Sequence, residues 1–184
     1  MERKEFIKKS TACGVLSLLY LALPEKQLNA QTIGTGAKDT ATPANREQIT
    51  KLLGFVESEL DEPVKREIFS KLGYECFYCT NAAPWIKSMT LASLIETVNK
   101  GGSSHWERME YNTEKGVLKV IGRKSPCTCA YAQGPNPPKS FCNSCSVSFM
   151  NELFGSLLGK KVRTTVDESV ILGGERCSAT IELC

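Results

Sequence analysis

The sequence predicts an α+β fold, with N-terminal helices packed on an antiparallel sheet of about four strands made of two hairpins. Three observations carry this expectation. Apolar residues recur at helical spacing from Ile49 to Val98. The period then shortens at residues 105–111 and 116–121, two strand-like runs joined through Asn112-Thr113-Glu114-Lys115. A second such pair, residues 161–167 and 176–183, follows one more helical stripe.

A chain of 184 residues can bury one real core, and 41% hydrophobic with 23% charged residues suits a globular domain. The net charge is +3, and residues 31–184 carry 18 basic against 17 acidic side chains. No basic stripe remains to neutralise phosphates, so nucleic acid is not an expected partner.

Residues 1–30 have the architecture of a signal peptide. A charged start, Met1-Glu2-Arg3-Lys4-Glu5-Phe6-Ile7-Lys8-Lys9, precedes an apolar run over residues 14–23 that Pro24 ends. The run is too short for a stable membrane span. Ala30 offers a small residue before a cleavage that would leave Gln31 as the new N-terminus. Arg3-Lys4-Glu5-Phe6-Ile7-Lys8-Lys9 is twin-arginine-like, with Lys4 in place of the second arginine. The expected location is therefore exported, periplasmic or extracytoplasmic. Residues 31–44, rich in Gly, Thr and Ala, read as a flexible linker, and residues 45–184 as the cysteine-rich domain.

Within that domain Asn45 is expected to cap a first helix carrying Ile49, Leu52, Leu53, Val56 and Leu60. Pro63 starts the second, with Val64, Ile68, Phe69, Leu72, Cys76 and Cys79 along one face. Gly73 lies inside it, where it permits close backbone approach. Ala82-Ala83-Pro84 is expected to break the chain. Leu91, Leu94, Ile95 and Val98 mark a third helix ended by Gly101-Gly102. After the first hairpin comes a loop over residues 125–141 with Gly134-Pro135-Asn136-Pro137-Pro138, too proline-rich for regular structure. Residues 143–158 are helical, with Val147, Met150, Leu153, Phe154, Leu157 and Leu158 as the apolar stripe, and Gly159 as the stop.

The chemistry-bearing stretch is Cys127-Thr128-Cys129, then Cys142-Asn143-Ser144-Cys145, with Cys177 after Gly173-Gly174. Four soft ligands suit a tetrahedral zinc ion, and the Cys142/Cys145 spacing is common in structural zinc sites. Without metal, an oxidising compartment would pair the same thiols as disulfides. An iron–sulfur cluster and inert burial remain open. Cys142 and Cys145 open a helix, whose dipole favours thiolates. Cys76-Phe77-Tyr78-Cys79 has the spacing of a redox pair but follows a helical pattern, so these two are assigned to the core or a pocket, with a disulfide or redox pair and metal ligation as the alternatives. His105, the single histidine, is expected to be structural or solvated.

The run from Cys127 to Cys177, with Phe141-Cys142-Asn143-Ser144-Cys145-Ser146-Val147-Ser148-Phe149, Gly159-Lys160-Lys161-Val162 and Gly173-Gly174-Glu175-Arg176-Cys177, resembles the 4-vinyl reductase domain superfamily. It is closer to cysteine-rich bacterial relatives of that superfamily. Related folds include vesicle-tethering subunits and phenol-sensing domains. The resemblance implies a small-molecule-binding α+β fold, usually a homodimer, taking a small apolar or aromatic ligand between helices and sheet. In the phenol-sensing relatives zinc is held near this helix start and by a Glu and two Cys in the last hairpin. Only Cys177 matches the final cysteine; Val166 and Ser169 stand where the Glu and the middle cysteine would be. Cys127 and Cys129 can replace the missing ligands, giving Cys127, Cys129, Cys142, Cys145 and Cys177 as the expected metal set.

The function expected is an exported small-molecule-binding domain with a cysteine-based zinc site. Rival readings are a thiol-disulfide oxidoreductase using Cys76 and Cys79, a small hydrolase similar to amino-thiazoline carboxylate hydrolases, and a protein-interaction subunit.

Overall fold

The computed structural model describes residues 43–79, 82–127, 129–132 and 137–184. The expected signal peptide, nearly all of the expected linker and Gly134-Pro135-Asn136 lie outside the described residues. Five α-helices and one four-stranded sheet are described, in the α+β order expected. The helices are α1 (Pro43–Glu59), α2 (Glu62–Cys79), α3 (Ala82–Lys87), α4 (Leu91–Asn99) and α5 (Val147–Leu158). The strands are β1 (Trp106–Asn112), β2 (Val117–Gly122), β3 (Val162–Glu168) and β4 (Ser178–Leu183).

Two local expectations need correction. Helix α1 already contains Asn45, so that residue is not its cap. Ala82-Ala83-Pro84 begins the short helix α3 rather than an irregular break. Proline is tolerated there because first-turn N–H groups have no helical partner in any case.

The two hairpins join through β2 and β4, giving the antiparallel order β1-β2-β4-β3. The pairing aligns Met109 with Val120, Val120 with Ala179, and Leu118 with Ile181. These side chains alternate inward and are buried. They meet Phe77, Ile86, Leu94, Val98, Leu153 and Phe154 from the helices to form the main core. This packing occupies the centre of the helix–sheet interface. Edge strand β1 is tied by Asn99, whose side-chain amide donates to the Met109 carbonyl at 3.0 Å and accepts from its N–H at 2.8 Å. Gly159, at φ 63°, closes α5 as expected.

A second, smaller core joins α1, α2 and the segment before α5. It contains Leu53, Val56, Phe69, Phe141 and Cys145, with Cys129 and Tyr131 packed against it. Phe69 and Phe141 meet edge to face, centroids 5.5 Å apart. This core is where the sulfur-bearing segments come together.

Candidate functional site

The chain enters α5 through one turn of π-helix, Cys142–Ser146, which the sequence had suggested would be ordinary α-helix. Such a widened turn is rare and concentrates at functional sites. Cys142, Ser144 and Cys145 are all buried, so the turn is enclosed on more than one side. On one side Gly73 of α2 presses against it. A Cβ built on Gly73 would fall 2.0 Å from the Cys145 carbonyl oxygen. Only a residue without a side chain allows that approach. Cys76 stands one turn further along α2, on the same side. On the other side buried Ser169 donates its hydroxyl to the Cys142 Sγ at 3.2 Å.

Glu57 of α1 holds the start of this segment. Its Oε1 accepts from the Ser140 N–H at 3.3 Å and from the Ser140 hydroxyl at 3.1 Å. A carboxylate is favoured at a helix N-terminus, so α1 supplies from a distance what a local capping residue usually supplies.

The loop thiols are positioned by backbone bonds. The Ala132 N–H donates to the Cys129 carbonyl at 3.0 Å, closing a short 3-10 turn. The Gly122 N–H donates to the Cys177 carbonyl at 2.7 Å, which pins Cys177 beside the end of β2. Glu168 Oε1 accepts from the N–H groups of Glu175 at 2.7 Å and Arg176 at 3.3 Å, fixing the turn that delivers Cys177. Lys124 pairs with Glu175, bringing the residues before Cys127 to the same turn.

The electrostatics show which sulfurs are neighbours. Burial pushes the Cys145 thiol far up, and the nearby Cys129, Cys76 and Cys142 push it further. Burial lifts Cys129 to about 11, with contributions from Cys127 and Cys76. Cys142 is raised by burial, then by Cys177 and Cys127. Cys127 is raised by burial and by Cys177, and Cys76 by burial. The half-buried Tyr131 phenol is raised by burial and by Cys76, Cys129 and Cys145. Here desolvation outweighs the helix dipole expected to favour thiolates.

All five thiols of the expected metal set therefore come to one region, and Cys76 joins them. The expected redox partners separate. Cys76 is half-buried beside Cys129 and Cys145, whereas Cys79 is exposed near the Glu75 carboxylate. His105 is exposed, its N–H bonded to Ser103 Oγ at 3.2 Å. Sequence reasoning kept metal ligation only as an alternative for Cys76 and did not place it with the C-terminal cysteines, and it missed Glu57 and Ser169 as supports of that region. The available signal was Gly73, one turn before Cys76 and small enough to admit a second backbone.

Six soft sulfurs are the right donors for zinc, and four separate segments deliver them. As the side chains stand, no three His, Cys, Asp or Glu groups among the described residues close into a metal-binding set. The fit is in donor chemistry and backbone placement, and side-chain rotation would have to complete it. Among the described residues, open grooves lie elsewhere. One, of about 380 Å³, is lined by Asn151, Glu152, Gly155, Ser156, Lys161 and Val162. Another, of about 290 Å³, lies where Val117, Arg163 and Glu182 meet Cys184. No helix among the described residues is long and apolar enough to cross a membrane.

The raised thiols carry a pH dependence. In reduced, metal-free protein the folded state holds its thiol protons more tightly than the unfolded chain, whose thiols titrate near ~8.5. The resulting stabilisation is full below that value. It is expected to fade as pH climbs toward the folded value of Cys129, about 11. Thermal melts across that interval check this. A melting temperature that rises over it would contradict the assignment.

No family model and no curated protein matches the chain. Among solved structures, it is similar to the phenol-responsive sensory domain of the transcription activator PoxR, determined with phenol. That match has 13% identity and a TM-score of 0.46, over 73% of this chain and 74% of the other. It is also similar to trafficking protein particle complex subunit 3 from Naegleria fowleri, covalently bound to palmitic acid. There the identity is 9% and the TM-score 0.45, over 78% of this chain and 97% of the other.

Proposed function

We propose that this chain is an exported small-molecule-binding domain whose C-terminal cysteines form a structural zinc site. The observation that carries the metal reading is the convergence of sulfurs from α2, the loop before α5, the π-turn and the turn before β4. Residues 123–141 contain no strand or long helix among those described, and burying such a segment is entropically costly. Metal bonds at Cys127 and Cys129 would tie it to α2 and α5. Zinc supplies no reaction in this role; it supplies folding energy, because its thiolate ligands are brought together only in the folded chain.

Elemental analysis and thiol titration of protein purified without reductant test this reading. At least one zinc per chain is expected, with the melting temperature falling sharply when a chelator removes it. Metal-free protein with these thiols joined as disulfides would overturn the zinc site.

The export part rests on residues 1–30 and is tested by N-terminal sequencing of protein from the cells that make it. A chain starting near Gln31 is expected, and intact Met1 in a cytosolic fraction would overturn it. The ligand part rests on the resemblance of residues 127–177 to a small-molecule-binding superfamily. Calorimetric titration with simple phenols and other small apolar compounds is its test, and an absence of binding across the series would count against it.

A further inference from the structure

We propose that the free edge of β1 is a pairing surface for a second copy of this chain, closed in the single copy by the Asn99 amide. Strands β1 and β3 are the two edges of the sheet. An edge strand presents backbone N–H and C=O groups that can template another strand. In β1 that role falls to Met109. Its N–H donates to Asn99 Oδ1 at 2.8 Å, and its C=O accepts from Asn99 Nδ2 at 3.0 Å. Both backbone groups therefore point away from β2. One side-chain amide satisfies the two of them, as a residue of a neighbouring strand would. Asn99 is exposed and is the last residue of α4, with Gly101 at φ 83° just beyond. Its departure from the edge disturbs only a helix end.

The charges on β1 fit the strand to itself. An antiparallel two-fold centred on Met109 sets Arg108 of each copy opposite Glu110 of the other. Met109 is buried against the core, so by alternation Arg108 and Glu110 lie on the outer face of the sheet. Both are exposed, and within the chain they form an ion pair at 2.7 Å. Pairing brings four charges of alternating sign together, at the ladder positions where side chains stand closest. Other centres lack this. A two-fold at Tyr111 sets Glu110 opposite Asn112.

The β3 edge does not self-pair in this way. There the Thr164 N–H donates to Asn151 Oδ1 at 2.9 Å, so Thr164 and its alternate neighbours Val162 and Val166 face outward. A two-fold at Val162 sets Lys161 against Arg163, two like charges. One at Thr164 sets Arg163 against Thr165, and one at Val166 sets Thr165 against Asp167. None gives an opposite-sign pair. On β1 the regular register is interrupted between Trp106 and Arg108. The shared ladder is therefore short, and a single amide is enough to compete with it.

The test is sedimentation velocity on the full chain, with reductant, over a concentration series. Asn99→Ala is expected to self-associate about tenfold more tightly than the wild type, because two hydrogen bonds no longer have to be given up. Asn99→Asp keeps the acceptor for the Met109 N–H and loses the donor for its carbonyl, so it is expected to fall between. In the Asn99→Ala protein, adding Arg108→Glu is expected to weaken association about tenfold, since both symmetry-related pairs become repulsive. Adding Glu110→Arg as well is expected to restore it. Hydrogen exchange at the Met109 amide reads the same surface. It is expected to be protected in the wild type, open in dilute Asn99→Ala, and protected again as concentration rises. If Asn99→Ala does not fold, the same charge changes are read in Asn99→Asp. Association no tighter than the wild type in the folded variant overturns the proposal. So does association that ignores the charge reversal or is not restored by the second change.

Discussion

Gly73→Ala is expected to destabilise the domain by about 3 kcal/mol, although alanine is the better helix former by about 1 kcal/mol. The new Cβ would lie 2.0 Å from the Cys145 carbonyl oxygen, 2.8 Å from its carbon and 3.0 Å from its Cα. All three are backbone atoms of a hydrogen-bonded turn, so no side-chain rotation relieves the clash. Helix α2 must move off the π-turn, and Cys76 moves with it. Gly54 in α1 is the control, because a Cβ there meets nothing within 4 Å. Gly54→Ala is expected to stabilise by about 0.5–1 kcal/mol through helix propensity alone. Urea denaturation of the two variants measures both effects. If Gly73→Ala proved as stable as the parent, the close approach of α2 to the cysteine turn would be wrong.

The helices and strands were legible because each depends on a local period. The stripe Val147, Met150, Leu153, Phe154 needs no partner to be read as helix, and the alternation in β2 needs none to be read as strand. What escaped was set by neighbours distant in sequence. The Cys142–Ser146 turn has no internal signal for a π-helix; its form goes with Gly73 on one side and Ser169 on the other. Its N-terminal support comes from Glu57, 83 residues earlier than Ser140. Spacing suggested Cys76 and Cys79 as a pair, but on a helix of 3.6 residues per turn, burial separates them. Cys76 turns inward beside Cys145, and Cys79 meets solvent. The thiol chemistry was also legible only in part. The dipole argument considered one helix in isolation, whereas the desolvation that lifts Cys145 comes from α2, the loop and the small core together.

That small core leads to the second large effect. Phe69→Ala is expected to cost about 3–5 kcal/mol, the usual range for removing a fully buried phenylalanine. Phe69 is 0% exposed and packs edge-on against Phe141, directly before the cysteine turn. Phe154→Ala removes an equally buried ring from the main core, against Trp106 at 6.1 Å, and carries a similar cost. The two variants separate in thiol chemistry. In reduced, metal-free protein the exposed Cys79 and Cys184 react with alkylating reagent first, while Cys129 and Cys145 wait for an opening. Global unfolding exposes every thiol equally, so a loss of overall stability alone speeds Cys129 and Cys145 by a factor set by that loss. Phe154→Ala is expected to follow this factor. Phe69→Ala is expected to exceed it, because the cavity sits in the core that shields those two sulfurs and lowers the cost of opening it locally. Mass-spectrometric labelling rates, compared with denaturant stabilities of the same proteins, provide the measurement. Equal acceleration in both variants, fully explained by stability, would mean that the small core opens only with the whole domain.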